Sequence, residues 1–211
     1  MELQLEGKRG IVTGSSAGIG EAIAKELAGE GVIAAVHGRR PQEVARVVAE
    51  IEAGGGAAVA VVGDVTVAQD CDGVAEQVAA VLVGLNILVN NAGSYQPTTS
   101  SEIDPEQWSK TYEANVVSVV RLLKRFLPGM IEQRYGRLIQ IASGEASNPF
   151  PTMPDYAASK AALVNARCRW RRRSTRPARP RTRSAPRSSS PPAWRRSSAR
   201  RRRGVAGVTE C

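Results

Sequence analysis

Cysteine and histidine are scarce in this sequence, which contains three cysteines (Cys71, Cys168 and Cys211) and a single histidine, His37. The cysteines follow no metal-ligand spacing and make no disulfide framework, and a lone histidine lacks the partners that a metal site needs. These scarcities argue against a zinc module and against a disulfide-stapled secreted domain. We therefore expect no metal and a reduced, cytoplasmic setting.

Long apolar runs are also missing. The first ten residues, MELQLEGKRG, lack the apolar core of a signal peptide. Nowhere do about 18 apolar residues follow one another, as a membrane-spanning helix would require. The sequence therefore predicts a chain that has no association with a membrane.

Acidic residues are almost absent from the last part of the chain. Residues 1–166 contain 13 Lys and Arg against 19 Asp and Glu, a net charge of −6. Residues 167–211 contain 16 Arg and one Glu, a net charge of +15. This second segment is rich in serine and proline and poor in apolar residues, a composition that favours disorder. We expect a folded domain over residues 1–166 and a disordered tail over residues 167–211.

Within the first part, short apolar runs alternate with amphipathic helical patterns. Strands are predicted at 9–14, 32–37, 57–63, 85–90 and 137–143, and helices near 18–30, 41–53, 66–82, 105–127 and 154–166. The runs are almost continuously Val, Ile and Leu, which is typical of parallel strands covered on both faces. Strand–helix alternation of this kind predicts an α/β fold, a doubly wound parallel sheet between two helical layers.

One helix start is well marked by the sequence DPEQ at 104–107. Asp104 suits the N-cap position, and Pro105 suits the first helical position. Gln107 is placed to close a capping box with Asp104.

A glycine-rich segment, TGSSAGIG at 13–20, follows the first predicted strand and opens the first helix. Gly14, Gly18 and Gly20 suit a loop that turns tightly, approaches a phosphate and lets helix and strand pack closely. The helix N-terminus offers free N–H groups and the positive end of a dipole to a pyrophosphate. The alternative is an ordinary strand-to-helix turn, and the place of the segment in a βαβ unit favours a dinucleotide site.

The end of the second predicted strand reads HGRR, residues 37–40. Enzymes that use NAD usually place an acidic residue there, where it binds the ribose hydroxyls. Here Arg39 and Arg40 follow His37 instead, and a guanidinium suits the 2′-phosphate of NADP. The alternative is a solvated pair of arginines at the start of a helix. The sequence favours NADP as the cofactor, with NAD also possible.

The segment YAASK places Tyr156 and Lys160 four residues apart, on one face of a predicted helix. A tyrosine hydroxyl titrates near pH 10, which is too high for a good base at neutral pH. A nearby ammonium group favours the phenolate and lowers that pKa. An exposed helical pair is the common meaning of this spacing, but here it follows a predicted strand that ends in Ser143.

Taken together, the segments TGSSAGIG, NNAG (90–93) and YAASK, with Asn115 and Ser143, resemble the short-chain dehydrogenase/reductase family. The resemblance runs from about residue 5 to residue 166. It implies a Rossmann fold with strand order 3-2-1-4-5-6-7. It also implies hydride transfer between a nicotinamide and a small carbonyl or alcohol substrate.

The resemblance also implies roles for individual residues. Tyr156 is the expected general acid/base, and Ser143 is expected to bind the substrate oxygen. Lys160 is expected to lower the pKa of Tyr156 and to hold the nicotinamide ribose, while Asn115 anchors a water relay. Asp64 is expected to contact the adenine. The full set of expected cofactor-binding residues is Gly14, Ser16, Gly18, Ile19, Gly20, Arg39, Asp64, Val65, Asn91, Ala92, Gly93, Tyr156 and Lys160.

The family's last two strands do not appear in the tail sequence. Shifted codons, built from the third base of each codon and the first two bases of the next, can restore family-like pieces. Residues 167–175 can encode an amphipathic helix continuation, 181–186 a sixth strand with its proline turn, and 190–193 Thr-Pro-Gly. We interpret the tail as out-of-frame text that begins near Asn165. We accordingly expect the chain as written to have little or no dehydrogenase activity.

Two other functions stay open at this point. The chain could be an inactive fragment of the family, or its arginine-rich tail could bind nucleic acid or other polyanions without specificity. The tail has only Trp170 and Trp194 as stacking aromatics and accompanies no recognised nucleic-acid fold, so we expect no specific nucleic-acid partner. Homo-oligomers are usual in the family through its fourth and fifth long helices. We regard an oligomer as doubtful here because the sequence predicts a short fifth helix.

Overall fold

A computed structural model describes residues 3–98, 102 and 104–174, and five strands and six α-helices lie along this part of the chain. The strands are β1 (Arg9–Val12), β2 (Ile33–Gly38), β3 (Ala57–Val62), β4 (Ile87–Asn90) and β5 (Arg137–Gln140). The helices are α1 (Gly18–Gly29), α2 (Pro41–Ala53), α3 (Ala68–Val81), α4 (Pro105–Tyr112), α5 (Ser118–Glu132) and α6 (Pro154–Ser174).

All strand pairs are parallel, and the sheet has the order β3-β2-β1-β4-β5. This order confirms the predicted doubly wound sheet and matches the first five positions of the order that the resemblance implies. The sixth and seventh strands of that order are not among the described residues. The strand order reverses between β1 and β4, and ligands of such sheets bind in the crevice at that point, outside the carboxyl ends of the strands.

Each face of the sheet carries its own apolar core. Neighbouring strand residues point to opposite faces, so Ile11 and Val12, both fully buried, belong to different cores. Ile11 and Leu88 pack against helices α3, α5 and α6. Val12 and Val36 pack against helices α1 and α2. These two layers hold the strand ends, and the loops that follow them, in fixed positions.

Helix α4 begins as its sequence predicts, with one difference. The side chain of Asp104 accepts hydrogen bonds from the backbone N–H groups of Glu106 and Gln107, and Pro105 occupies the first turn. The side-chain nitrogen of Gln107 donates to Thr111 Oγ1 at 3.2 Å instead of closing the predicted capping box. The cap is therefore the aspartate alone.

The predicted helix over 105–127 is longer and less regular than expected. A π-helical turn, Glu113–Val117, lies between α4 and α5 and carries Asn115. Helix α5 then passes through Pro128 and ends at Glu132. The proline removes one hydrogen bond but does not end the helix, because residues on both sides of it, Leu123 and Met130, remain buried in the core.

Helix α6 also extends further than the sequence analysis predicts. Its expected end near residue 166 is wrong, because the helical backbone continues to Ser174. Residues 167–174 contain neither glycine nor proline, and arginine is a good helix former, so this stretch of sequence is compatible with helix. The expectation of disorder for the remaining tail, residues 175–211, lies outside the described residues.

Among the residues that the structure describes, no helix is long and apolar enough to cross a membrane. Within the same residues, no group of three or more His, Cys, Asp or Glu side chains could hold a metal ion.

Candidate active site

The glycine-rich loop between β1 and α1 is a cradle that tolerates no side chain at its centre. Gly14 has a positive φ of 64°, which favours glycine. A Cβ at Gly20 would lie 2.3 Å from the carbonyl oxygen of Gly14 and 2.4 Å from Nδ2 of Asn91. Helix α1 therefore lies so close to the loop that no Cβ fits between them. The N-terminal N–H groups of the helix lie beside the crevice.

Two side chains fasten this loop to the end of strand β4. Nδ2 of Asn91 donates to the carbonyl oxygens of Thr13 and Gly14, at 2.9 Å and 3.0 Å. The hydroxyl of Thr13 accepts hydrogen bonds from the backbone N–H groups of Asn91 and Ala92, both at 3.0 Å. The motifs TGSSAGIG and NNAG thus form one hydrogen-bonded unit, although more than 70 residues separate them along the chain.

An ion-pair network secures the outer side of the same loop. Arg46 of helix α2 donates to the carbonyl oxygen of Ser16 at 3.2 Å and to Glu21 in the first turn of α1 at 2.8 Å. Hydrogen bonds from Arg46 and then Lys25 lower the pKa of Glu21 to about 2. The negative charge of Glu21 is therefore matched by two cations, so it opposes an anion at the helix N-terminus only weakly.

Arg39 and Asp64 face each other at the end of the cleft formed by strands β2 and β3. The guanidinium of Arg39 lies 3.6 Å from Asp64 Oδ2, and 75% of the Arg39 side chain is exposed. The other oxygen of Asp64 accepts from the N–H and the hydroxyl of Thr66 at 2.9 Å and 2.8 Å. The Thr66 hydrogen bonds and the nearby Arg39 lower the pKa of Asp64 against the opposing effect of burial. Asp64 is thus held in place, while Arg39 remains open to solvent and to an anion.

His37 is buried beside this pair and is neutral. Its Nδ1 accepts a hydrogen bond from the backbone N–H of Gly14 at 3.1 Å, so its proton resides on Nε2. Burial lowers the pKa of His37 to about 4, although Gly63 and Asp64 counter part of that effect. Nε2 is buried and makes no well-formed hydrogen bond within the described residues, although the Gly63 backbone lies near it. His37 thus supports the glycine loop from strand β2.

A cleft runs along these loops at the carboxyl ends of the strands. Its lining includes seven of the predicted cofactor-binding residues: Gly14, Ser16, Arg39, Asp64, Val65, Ala92 and Gly93. Four others lie outside the lining: Gly18 and Ile19 at the exposed start of α1, Gly20 against the loop backbone, and Asn91 as the clamp. The role of His37 as a support for the loop was not predicted from the sequence, and neither were the lining residues Gly38, Thr66, Ser94 and Ala114. Of these, Gly38 lies within the segment HGRR and Ser94 directly follows NNAG, so both could have been found from their place beside predicted site residues.

Helix α6 brings Tyr156 and Lys160 together near the other end of the cleft. The ammonium nitrogen of Lys160 lies 5.5 Å from the centre of the Tyr156 ring and donates to the carbonyl oxygen of Ile141 at 3.0 Å. Burial lowers the pKa of Lys160, which is only 5% exposed. A Cβ at Gly93, in the cleft lining, would be 3.6 Å from the same nitrogen. The cleft therefore leads from Arg39 towards the predicted catalytic pair.

Asn115 is fully buried on the π-helical turn and joins three segments of the site. Its Oδ1 accepts from the N–H of Ser94 at 2.8 Å, and its Nδ2 donates to the carbonyl oxygen of Ser94 and to the hydroxyl of Ser159. Both hydrogens of the amide nitrogen are thus used. A water relay at Asn115 would therefore need one of its oxygen atoms. π-helical turns occur often at functional sites.

Ser143 lies just after strand β5, two residues beyond the carbonyl that Lys160 binds. It caps a short 3₁₀ turn, Gly144–Ala146, where its Oγ accepts from the N–H of Glu145 at 3.2 Å. That bond uses an acceptor site of the hydroxyl and leaves its hydrogen free to donate. Ser143 can therefore offer a hydrogen bond to an oxygen atom in front of the strand ends.

The cleft suits a dinucleotide cofactor on two observations. The glycine loop forms a cradle in which a Cβ at Gly20 would collide with backbone, beside a helix N-terminus that favours phosphate. An exposed guanidinium, Arg39, stands at one end of the cleft, and a buried ammonium, Lys160, adjoins the other. The residues present thus fit an NAD(P) cofactor.

Comparisons with known proteins agree with this description. The sequence model of the short chain dehydrogenase family matches residues 8–172. YvrD, an uncharacterized oxidoreductase of Bacillus subtilis strain 168, is 35% identical over 165 residues, which are 78% of this chain and 62% of YvrD. The chain therefore spans less than two thirds of the length of this relative.

Solved structures show the same similarity. L-Sorbose reductase from Gluconobacter frateurii, complexed with NADPH and L-sorbose, superposes with a TM-score of 0.76 at 34% identity, over 79% of this chain and 64% of that protein. A 7α-hydroxysteroid dehydrogenase complexed with NADH and 7-oxo glycochenodeoxycholic acid gives a TM-score of 0.75 at 34% identity, over 78% and 64%. Both nicotinamide cofactors thus occur among the relatives. The cleft, the five-stranded sheet and the match over residues 8–172 show that the chain belongs to the short-chain dehydrogenase family of NAD(P)-dependent oxidoreductases.

Proposed function

We propose that this protein transfers hydride between NADP(H) and a small carbonyl or alcohol substrate. The observation that carries the proposal is the cleft that begins at Arg39 and ends where Gly93 adjoins Lys160, beside Tyr156. Its two ends supply the two requirements of the reaction, a nucleotide site and an acid/base group.

In the proposed mechanism, the hydroxyl of Tyr156 gives a proton to the carbonyl oxygen during reduction and takes it back during oxidation. Ser143 donates a hydrogen bond to the same oxygen and orients the substrate. When bound, the nicotinamide supplies or accepts the hydride. Lys160, anchored to the Ile141 carbonyl, holds its ammonium group 5.5 Å from the centre of the Tyr156 ring.

The remaining predicted residues are proposed to bind the cofactor. The N–H groups at the start of α1, around Gly18, Ile19 and Gly20, would bind the pyrophosphate together with Ser16. Asp64 and Val65 would bind the adenine, and Ala92 and Gly93, held by the Asn91 side chain, would contact the nucleotide.

Arg39 is proposed to bind the 2′-phosphate, and this choice favours NADP over NAD. The guanidinium is largely exposed and lies on the cleft wall, and strand β2 ends in glycine and is followed by arginine rather than by an acidic residue. A carboxylate at this place would accept from the ribose hydroxyls of NAD, whereas a guanidinium binds phosphate through charge-assisted hydrogen bonds.

Replacement of Tyr156 by phenylalanine tests the proposed chemistry. NADPH oxidation is followed with a panel of ketones and aldehydes, in the 211-residue chain and in a chain whose reading frame is restored after Asn165. We expect turnover in the frame-restored chain, and its loss by about 10²–10⁴-fold in Tyr156→Phe, because proton transfer by a positioned group is worth that much. NADPH affinity should fall far less than turnover, because the other expected cofactor-binding residues are unaltered.

Tyr135→Phe is the matched control, because Tyr135 lies beside Lys8 and Arg137, away from the cleft. It should leave turnover unaltered. Equal rates for Tyr156→Phe and the parent chain would refute the assigned acid/base role. High turnover in the 211-residue chain would refute the expectation that the tail abolishes activity.

A further inference from the structure

Two buried polar contacts join helix α6 to the segment formed by α4 and the π-helical turn. Thr111 donates its hydroxyl hydrogen to Asp155 Oδ2 at 2.5 Å. Asn115 donates from Nδ2 to the hydroxyl of Ser159 at 2.9 Å. On each helix the two residues are four positions apart, so the contacts lie about one turn from each other. We call this pair of contacts the polar ladder, and Thr111–Asp155 its first rung.

The first rung is enclosed by protein and has few other partners. Thr111 is fully buried, and Asp155 is 1% exposed. The hydroxyl oxygen of Thr111 accepts from Gln107, which leaves its hydrogen for the carboxylate. The second oxygen of Asp155 is buried without a partner among the described residues. Within those residues, Thr111 is therefore the side chain on which the Asp155 carboxylate depends.

Tyr156 lies between the two rungs along helix α6. Asp155 precedes it directly, and the backbone carbonyl of Tyr156 itself accepts from the Ser159 hydroxyl at 2.7 Å. The second rung, through Ser159, is thus tied to the Tyr156 backbone from one side. The first rung holds the preceding residue from the other side.

We propose that the Thr111–Asp155 hydrogen bond positions Tyr156, because it fixes where helix α6 lies along its axis relative to helix α4. Thr111 and Asp155 are then positioning residues that act through Tyr156 and touch neither substrate nor cofactor. A hydrogen bond suits this task because its geometry is narrow in distance and angle, so it limits how far helix α6 can shift along helix α4. A well-packed apolar pair could stabilise the same helix contact equally well, but it has no donor and acceptor whose geometry must be kept.

This inference rests on the proposed function, since it assigns the rung to the placement of the proposed acid/base. It is tested by three variants of the full chain. Thr111→Val leaves the carboxylate without its donor, so its melting temperature should fall by about 6–12 °C. Thr111→Val combined with Asp155→Leu removes both partners, and its melting temperature should return to within a few degrees of the parent. Thr111→Ser keeps the donor and is the conservative control.

The decisive readout is the ring NMR signal of Tyr156 in ¹³C-tyrosine-labelled protein, assigned by its loss in Tyr156→Phe. In the double variant, which is stable but lacks the rung, we expect this signal to shift or broaden, while that of Tyr135 stays in place. Thr111→Ser should give the parent spectrum. In the frame-restored chain the double variant should lose about 10–100-fold in kcat with an unchanged Kd for NADPH, because small misplacements of a reacting group cost that much.

A double variant with the parent Tyr156 signal and the parent kcat would overturn the proposal, because the rung would then serve stability alone. An equal loss in Thr111→Ser would also overturn it. Lack of turnover in every chain would count against the proposed function only, since the NMR comparison decides the role of the ladder without catalysis.

Discussion

The buried ammonium group of Lys160 lowers the stability of this fold. It is 5% exposed, its one hydrogen bond among the described residues is to the Ile141 carbonyl, and burial lowers its pKa. No carboxylate pairs with it in the described part of the chain. Buried cations of this kind lower stability and are kept where the chemistry of a site needs them. Lys160 is therefore a residue at which stability and function should separate.

Lys160→Met should raise the melting temperature by about 2–6 °C, because methionine fills a similar volume without the cost of burying a charge. The same change should abolish NADPH oxidation in the frame-restored chain. Thermal unfolding followed by circular dichroism measures the first effect. Lys110→Met, at a side chain that is 72% exposed on helix α4, is the control and should leave the melting temperature nearly unchanged. A lower melting temperature for Lys160→Met would contradict the assigned cost.

The burial of His37 leads to a prediction about how the stability of the fold depends on pH. Its pKa is about 4 in the folded chain against an ordinary value of 6.5, so the unfolded chain binds the proton more readily. The stability that His37 contributes is therefore present above pH 6.5 and is lost as the pH falls from 6.5 towards 4. From the difference between these two pKa values, the free energy of unfolding should fall by about 3 kcal/mol between pH 7 and pH 4.

His37→Asn removes this titration, so the free energy of unfolding of the variant should change less between pH 7 and pH 4, by the same amount. Urea unfolding of the parent and the variant at pH 7 and pH 4 measures the difference, and acidic groups that also titrate contribute equally to both proteins. The sequence has one histidine, so its NMR titration can be followed without interference. An ordinary His37 pKa near 6.5, or an unaltered slope in the variant, would contradict the buried neutral state.

At the scale of elements, the contact between helix α1 and the glycine loop depends on Gly20. A methyl group there would overlap the Gly14 carbonyl and the Asn91 amide. Gly20→Ala should therefore push α1 away from the loop, destabilise the fold by about 2–4 kcal/mol and weaken NADPH binding.

Gly29→Ala is the matched control within the same helix, because a Cβ at Gly29 would meet open space. We expect it to stabilise the protein by about 0.5 kcal/mol, since alanine loses less backbone entropy than glycine. Denaturant unfolding and NADPH titration of both variants give the comparison. Normal affinity in Gly20→Ala would show that the close approach is not needed.

The order and type of the elements could be predicted from the sequence, because apolar runs and helical periodicity are local signals. One prediction that rested on composition instead of periodicity was wrong. Composition suggested that α6 ends near residue 166, but the helix runs to Ser174, since arginine-rich sequence without glycine or proline still forms helix. The π-helical turn at Glu113–Val117 leaves no recognisable pattern in the residues themselves.

Some residues of the candidate site could be predicted from the sequence, and others could not. Gly14, Asn91, Tyr156 and Lys160 could be named because each lies in a short contiguous motif. The Thr111–Asp155 contact could not, because it joins residues 44 positions apart whose pairing depends on how two helices pack. The neutral state of His37 likewise depends on burial that a single residue in a strand does not reveal.

At the scale of the whole molecule, the described domain brings the proposed nucleotide site and the helix that carries Tyr156 and Lys160 to one edge of one sheet. The family match extends to residue 172, close to the end of helix α6 and beyond the predicted domain boundary at 166. We propose that the folded domain includes all of α6. The proposed nucleotide site consists of strands β1 to β4 and the loops after them, so we expect that binding of the adenosine half does not depend on residues beyond that helix.

Titration of the intact 211-residue chain with NADPH and with NADH is the measurement that bears most directly on the proposed site. We predict tighter binding of NADPH, and a loss of about 10–150-fold in NADPH affinity for Arg39→Ala, which is the worth of a charged hydrogen bond of about 1.5–3 kcal/mol. NADH affinity should change less than about twofold in that variant, and Arg40→Ala, outside the cleft lining, should behave like the parent. Equal affinity for the two cofactors, or equal losses of both in Arg39→Ala, would contradict the proposed recognition of the 2′-phosphate.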